Sequence, residues 1–187
     1  MATIKKHDFV EIEYTGRLKD NNHVFDTTDE KTAKDSNLYN ESYKYGPAVI
    51  CVGEEGVIRA LDDELVGKET GKSYRIEISA EKGFGKKNPK LLRMVPIKNF
   101  KEHGIAPMPG LQVNIDNVYG TIVSATSGRV MVDFNHPLAG KDIAYELKVN
   151  RVVDDDKEKL KAYLKLQLGK DDIKADIENG KAKVKFG

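Results

Sequence analysis

Covalent or metal-assisted chemistry needs particular residue types at particular spacings, and this sequence offers few of them. His7, His23, His103 and His136 are scattered, with no pair at the separation that metal ligands keep. No metal and no cofactor is therefore expected. Cys51 lies within the apolar run 48–52, where a buried, unreactive thiol is the simplest reading. Serine, histidine and aspartate occur, but without the glycine-flanked elbow that exposes a nucleophilic serine. Gly67, Gly71, Lys72 and Ser73 approach a phosphate-binding loop. The glycines stand one residue too close, and an alternating run follows where a helix must begin. That segment reads as a hairpin turn. What is left is an aromatic and aliphatic set with one early carboxylate: Tyr14, Phe25, Asp26, Val57, Ile58, Leu61, Phe84 and Tyr145. By residue type the set reads first as a hydrophobic core. Phe84 is the exception, because an aromatic between Gly83 and Gly85 suits a pocket rim better than a core.

Composition narrows the function classes. The net charge of +1, from 31 basic and 30 acidic residues, leaves no global field to recruit nucleic acid or an anionic membrane. No apolar run approaches the roughly 18 residues of a membrane span, and the first residues lead into no signal-peptide core. A single cysteine excludes an internal disulfide and suits a reducing cytoplasm, the expected location.

The elements that must position the set follow from periodicity. Val10, Ile12 and Tyr14 alternate with polar residues, Gly16 and residues 19–22 supply turn chemistry, and 24–26 resume extended structure, giving an antiparallel hairpin. Residues 28–46 are polar and loop-like, with Tyr39, Tyr43 and Tyr45 but no period. After a strand at 48–52, Val57, Leu61 and Leu65 recur at helical spacing, with Asp62, Asp63 and Glu64 marking the solvent side. Tyr74, Ile76 and Ile78 predict a further strand. Much later, residues 133–149 (DFNHPLAGKDIAYELKV) give a turn and then a strand through Ile143, Tyr145 and Leu147.

Between these lies a segment of different texture. Residues 86–131 hold four of the six prolines and predict a short helix near 98–102 and three short strands, at 111–115, 118–124 and 129–134. After 153, three aspartates suit a helix start. Leu160, Tyr163, Leu164, Gln167 and Leu168 then line one face, and Asn179 and Gly180 mark a final hairpin. This tail is too small to fold alone. It must pack on the body, pair with a second copy in a homodimer, or begin a larger domain.

Several runs carry a resemblance: residues 10–16, 24–27, 56–58, 65–67 and 83–85, and DFNHPLAG at 133–140. In order and spacing over residues 4–152, the chain resembles the FKBP-type peptidyl-prolyl isomerases, specifically the SlyD-like prokaryotic type with an inserted chaperone domain. The resemblance implies an α+β fold, an antiparallel β-sheet wrapped on a short α-helix, with a small mainly-β insert. It implies an isomerase domain of residues 1–85 and 132–153 and a chaperone insert of 86–131; the helix-hairpin extension of 154–187, read from its own residues, has no counterpart in short members. The proline pocket would comprise Tyr14, Phe25, Asp26, Val57, Ile58, Phe84 and Tyr145. Leu61 stands where many members carry a tryptophan floor, and Phe84 where many carry a tyrosine, so altered ligand affinity rather than lost activity is expected. The metal-binding tail of some relatives is absent. The implied partners are unfolded or nascent polypeptides with Xaa-Pro bonds and a macrolide-type pocket ligand, with neither nucleic acid nor membrane. In the insert, Ile105, Met108, Val113, Tyr119, Ile122, Val130 and Met131 exceed what so small a unit buries easily and would hold unfolded segments, although some must form the insert's own core. The alternative is a binding module that keeps the fold without catalysis.

Overall fold

Val10, Ile12 and Leu18 are buried while their neighbours are half-exposed, and this alternation builds β1 (Phe9–Leu18), the central strand of the main sheet. The computed structural model describes residues 2–169, 173–178 and 181–186. It divides into two compact units, Met1–Gly83 with Lys141–Gly187, and Phe84–Gly140.

In the first unit β1 is followed by β2 (Val24–Thr27), α1 (Glu30–Asp35), β3 (Ala48–Cys51), α2 (Arg59–Leu65) and β4 (Lys72–Ile78). The chain later returns as β9 (Ile143–Val152), α4 (Asp156–Leu168), β10 (Ile173–Glu178) and β11 (Lys181–Phe186). The sheet runs β2-β1-β9-β4, all antiparallel, with β3 also pairing β1. Leu61 and Leu65 of α2 are fully buried, as are Ile12, Leu147 and Val149 of the sheet, so the core lies between helix and sheet. This is the α+β arrangement expected.

The expectations for this unit change in five places. Gly16 lies within β1 and forms no turn. Residues 28–46 contain α1, whose cap Asp29 accepts a 2.7 Å bond from the Thr32 N–H. In the loop after it, Tyr39 stacks on Tyr45 and the Tyr45 hydroxyl accepts from the Asn40 N–H and donates to the Leu38 carbonyl, so tyrosines rather than a period order the segment. Helix α2 starts at Arg59, leaving Val57 and Ile58 in the preceding turn, and Asp62 is buried rather than on the solvent side. The glycine pair at 67 and 71 joins α2 to β4, and Thr3 bridges to Glu69 there; it is not a strand-to-strand hairpin.

The tail packs on its own body. Asp155 caps α4 by accepting from the Glu158 N–H at 2.7 Å. Arg151 of β9 bridges Glu11 and Glu158, and α4 rests against β3 and β10. Lys157 pairs with Asp176 on β10. No α4 residue is fully buried, and Tyr163, Leu166 and Leu168 stay exposed. The turn expected at Asn179 and Gly180 lies outside the described residues. No helix among the described residues is long and apolar enough to cross a membrane.

The second unit holds β5 (Leu92–Pro96), α3 (Ile97–Glu102), β6 (Gln112–Ile115), β7 (Val118–Ala125) and β8 (Arg129–Asp133). Its sheet has four strands in the order β5-β8-β7-β6, one more than expected. Asp116 and Asn117 both take positive φ, the backbone of a two-residue hairpin between β6 and β7. Phe100, Val113, Ile122, Val130 and Val132 form its core, with Phe134 packed against it. The unit therefore reaches past residue 131.

Candidate functional site

The site grows from one row of the main sheet. Gly16 pairs with Asp26 on one side and with Tyr145 on the other, and Tyr145 pairs with Ile76 beyond. Residues directly opposite one another share a face, so Asp26 and Tyr145 project beside a glycine with no side chain. The space that a side chain would take is filled by rings. A Cβ on Gly16 would meet Phe25 Cζ at 2.7 Å and Tyr145 Cε1 at 2.9 Å.

Simple alternation would send Phe25 and Asp26 to opposite faces. The register shifts here, Gly16 pairing with Asp26 but Arg17 with Val24, so Phe25 is a bulged residue. The bulge turns both neighbours toward the same site, a common device beside functional sites. The Phe25 and Tyr145 rings meet edge-on at 5.7 Å, and Tyr14 meets Tyr145 edge-on at 5.8 Å. Tyr145 is 1% exposed, and Tyr14 and Phe25 are half-buried.

Asp26 sits among these rings with its open side to solvent. The protein crowding its other sides raises its carboxyl above the ordinary carboxylate range, while hydrogen bonds from the Tyr14 hydroxyl and the Thr27 backbone oppose that rise. Burial first, then the Asp26 charge, pushes the hydroxyls of Tyr14 and Tyr145 far up, so both are neutral donors at any ordinary pH. The site has aromatic walls, one carboxylate and no nucleophile. Among the described residues no cluster of three metal-ligating side chains stands anywhere in the chain, and Cys51 is buried with its thiol raised by desolvation. Such a site can hold an apolar ring beside a polar group, and it has no means for covalent chemistry.

The comparisons with known proteins bear on this arrangement. Residues 1–101 match the family FKBP-type peptidyl-prolyl cis-trans isomerase, and residues 93–138 match the IF domain of FKBP26. The chain is 31% identical over 149 residues to a short-type peptidyl-prolyl cis-trans isomerase of Methanocaldococcus jannaschii, covering 80% of this chain and 94% of that one. It is 32% identical over 120 residues to the FKBP-type peptidyl-prolyl cis-trans isomerase SlyD of Helicobacter pylori, covering 62% of this chain and 61% of that protein. The chain belongs to the FKBP-type peptidyl-prolyl cis-trans isomerases.

In this FKBP-type isomerase the structure brings together Tyr14, Phe25, Asp26 and Tyr145. Val57 and Ile58 are half-buried in the turn that leads into α2, and Leu61 has no exposed surface. Phe84 belongs to the second unit, where its ring stacks flat on His136 at 4.7 Å. The residue that sequence reasoning missed is Gly16. Its signal was a glycine in an otherwise regular alternation, which in a strand marks a bulge or a close approach.

A concavity of about 830 Å³ in the first unit shares Tyr14 with this site but not Phe25, Asp26 or Tyr145. It opens over the charged face of the sheet, where Glu13 pairs with Lys148 and Glu146 with Arg17. Those charges are matched already, and the hollow reads as a solvated face.

The insert's expected client-binding set divides in two. Val113, Ile122 and Val130 are buried in the unit's own core and cannot hold a client, because β6, β7 and β8 turn them inward. Ile105 and Met131 are half-buried, whereas Met108 is 58% and Tyr119 75% exposed. Leu92, Met94, Val118 and Val123, which sequence reasoning passed over, are exposed as well.

Proposed function

We propose that this isomerase binds Xaa-Pro segments of unfolded polypeptides with the prolyl ring in the recess beside Gly16, and that it speeds rotation without covalent chemistry. Amide resonance sets a rotation barrier of roughly 18–20 kcal/mol. A dry aromatic recess favours the twisted amide, whose resonance charge separation is lost, over the planar one. Phe25, Val57, Ile58 and Tyr145 supply the walls, and buried Leu61 supports them from below. The Ile58 N–H donates to a substrate carbonyl, and Asp26 orients the Tyr14 hydroxyl. A macrolide-type ligand takes the same recess.

The observation that carries this reading is the row Asp26, Gly16 and Tyr145, with the Phe25 ring seated on the glycine. Titration of the protein with a short Xaa-Pro peptide, followed by NMR, tests it. Ring and amide signals of Tyr14, Phe25, Asp26 and Tyr145 should shift together. Shifts confined to other residues would exclude the recess.

The second unit acts as a holding surface for unfolded chains, and Leu92, Met94, Met108, Val118, Tyr119 and Val123 support that role by their exposure. Exposed Tyr163, Leu166, Leu168 and Ile177 make the extension a surface for a second copy, which sedimentation with and without residues 154–187 tests. The free, buried Cys51 suits a reducing cytoplasm.

A further inference from the structure

Asp62, on α2, carries a buried carboxylate. It is 2% exposed, and its charge is met by backbone amides. The Gly53 N–H reaches both carboxylate oxygens, at 2.9 and 3.0 Å, and the Glu55 N–H reaches Oδ2 at 2.9 Å. Bonds from N–H groups to an ionised acceptor are the strong kind, and three of them satisfy a buried charge that would otherwise be costly.

The segment held in this way has little reason to keep its shape alone. Gly53 and Glu55 both take positive φ, and Glu55 does so despite carrying a side chain. Its far end is wedged against β3, where a Cβ on Gly56 would meet the Ile50 side chain at 3.0 Å. Val57 and Ile58 follow directly. Asp62 also reaches them through its backbone, since its N–H donates to the Ile58 carbonyl at 3.0 Å, beside that of Leu61 at 2.9 Å. One residue of α2 thus fixes both ends of the stretch 53–58.

We infer that Asp62 is a positioning residue for the isomerase: its carboxylate sets the loop 53–56 so that Val57 and the Ile58 N–H meet the substrate. This rests on the reading that Val57 and Ile58 face the prolyl segment. Asp62→Asn keeps the size but turns an N–H₂ group toward amides that need an acceptor. Expected are faster hydrogen exchange at the Gly53 and Glu55 amides with the β1 and β9 amides unchanged, and a KM for an Xaa-Pro peptide raised about tenfold with kcat within twofold. A KM unchanged while the loop amides lose protection overturns the inference and leaves a merely structural role. Loop amides as protected as before overturn it too. Should Asp62→Asn fail to fold, Asp62→Glu keeps the charge but displaces it by one methylene, and an unchanged KM with shifted loop amides is again fatal. Val57→Ala separates the two ideas. If it leaves KM untouched, the reading of Val57 as a pocket wall fails; if it raises KM and the Asp62 variants do not, only the positioning role fails.

Discussion

A methyl group at position 16 would have to displace two rings at once, since the Phe25 and Tyr145 carbons lie 2.7 and 2.9 Å from where it would stand. Overpacking of this kind costs about 1–3 kcal/mol, so Gly16→Ala should lower the denaturant midpoint accordingly and reduce peptide turnover more than general loss of stability explains. An unchanged midpoint would mean that the rings do not fill that space. Asp26 makes a prediction of opposite sign for stability. Its folded carboxyl titrates above the unfolded one, so its contribution to stability is present below the unfolded value of about 3.9 and lost as pH rises through the folded value. Asp26→Asn should therefore raise the melting temperature at neutral pH and give no gain in strong acid, while activity loses its acid-side inflection. Of these residues the sequence shows type but not placement. Phe25 and Asp26 are adjacent, and period-2 alternation separates adjacent side chains. Only the pairing partners reveal the bulge that brings them together.

At the scale of elements, legibility followed burial contrast. β4 and β9 bury one face and expose the other, and both were readable, β4 to within one residue and β9 except for its last three. β5 was not, because Leu92, Met94 and Pro96 are exposed and only Val95 is half-buried, so no alternation of polarity marks it. α1 escaped for a similar reason: of its six residues only Ala33 is buried. The second unit is closed at its base by Lys87, whose ammonium meets Asp133 at 2.9 Å, and by Asn135, which donates twice to the same carboxylate. Burial alone would raise the Asp133 carboxyl, but these donors more than offset it and leave it below the ordinary value. A lowered folded value stabilises above the unfolded one and is lost as pH falls through the folded one. Asp133→Asn should cost about 1–2 kcal/mol at neutral pH and converge with the parent protein below the ordinary carboxylate range. Thermal unfolding followed at several pH values checks both halves of that statement.

For the whole molecule, periodicity suggested sheets and a helix, and motif runs scattered through the chain suggested an insert, but the order of strands is set by pairings far apart in sequence that neither signal carries. DFNHPLAG at 133–140 was the most telling, since it closes the second unit where the first resumes. The holding role proposed for the second unit is one that deletion can separate from catalysis. Removing residues 87–130 should leave turnover of a short peptide largely intact while lowering activity on an unfolded protein and abolishing suppression of aggregation. Equal activity on the protein substrate would remove the holding role. The central claim concerns the first unit, and catalysed isomerisation of a short Xaa-Pro peptide tests it most directly, with the intact chain compared against Phe25→Ala. Expected is a rate clearly above the uncatalysed one, with kcat/KM at least tenfold lower in the variant, or about 1.4 kcal/mol of lost transition-state binding. A rate at background for the intact chain, or equal rates for the two proteins, would contradict a recess built on Gly16.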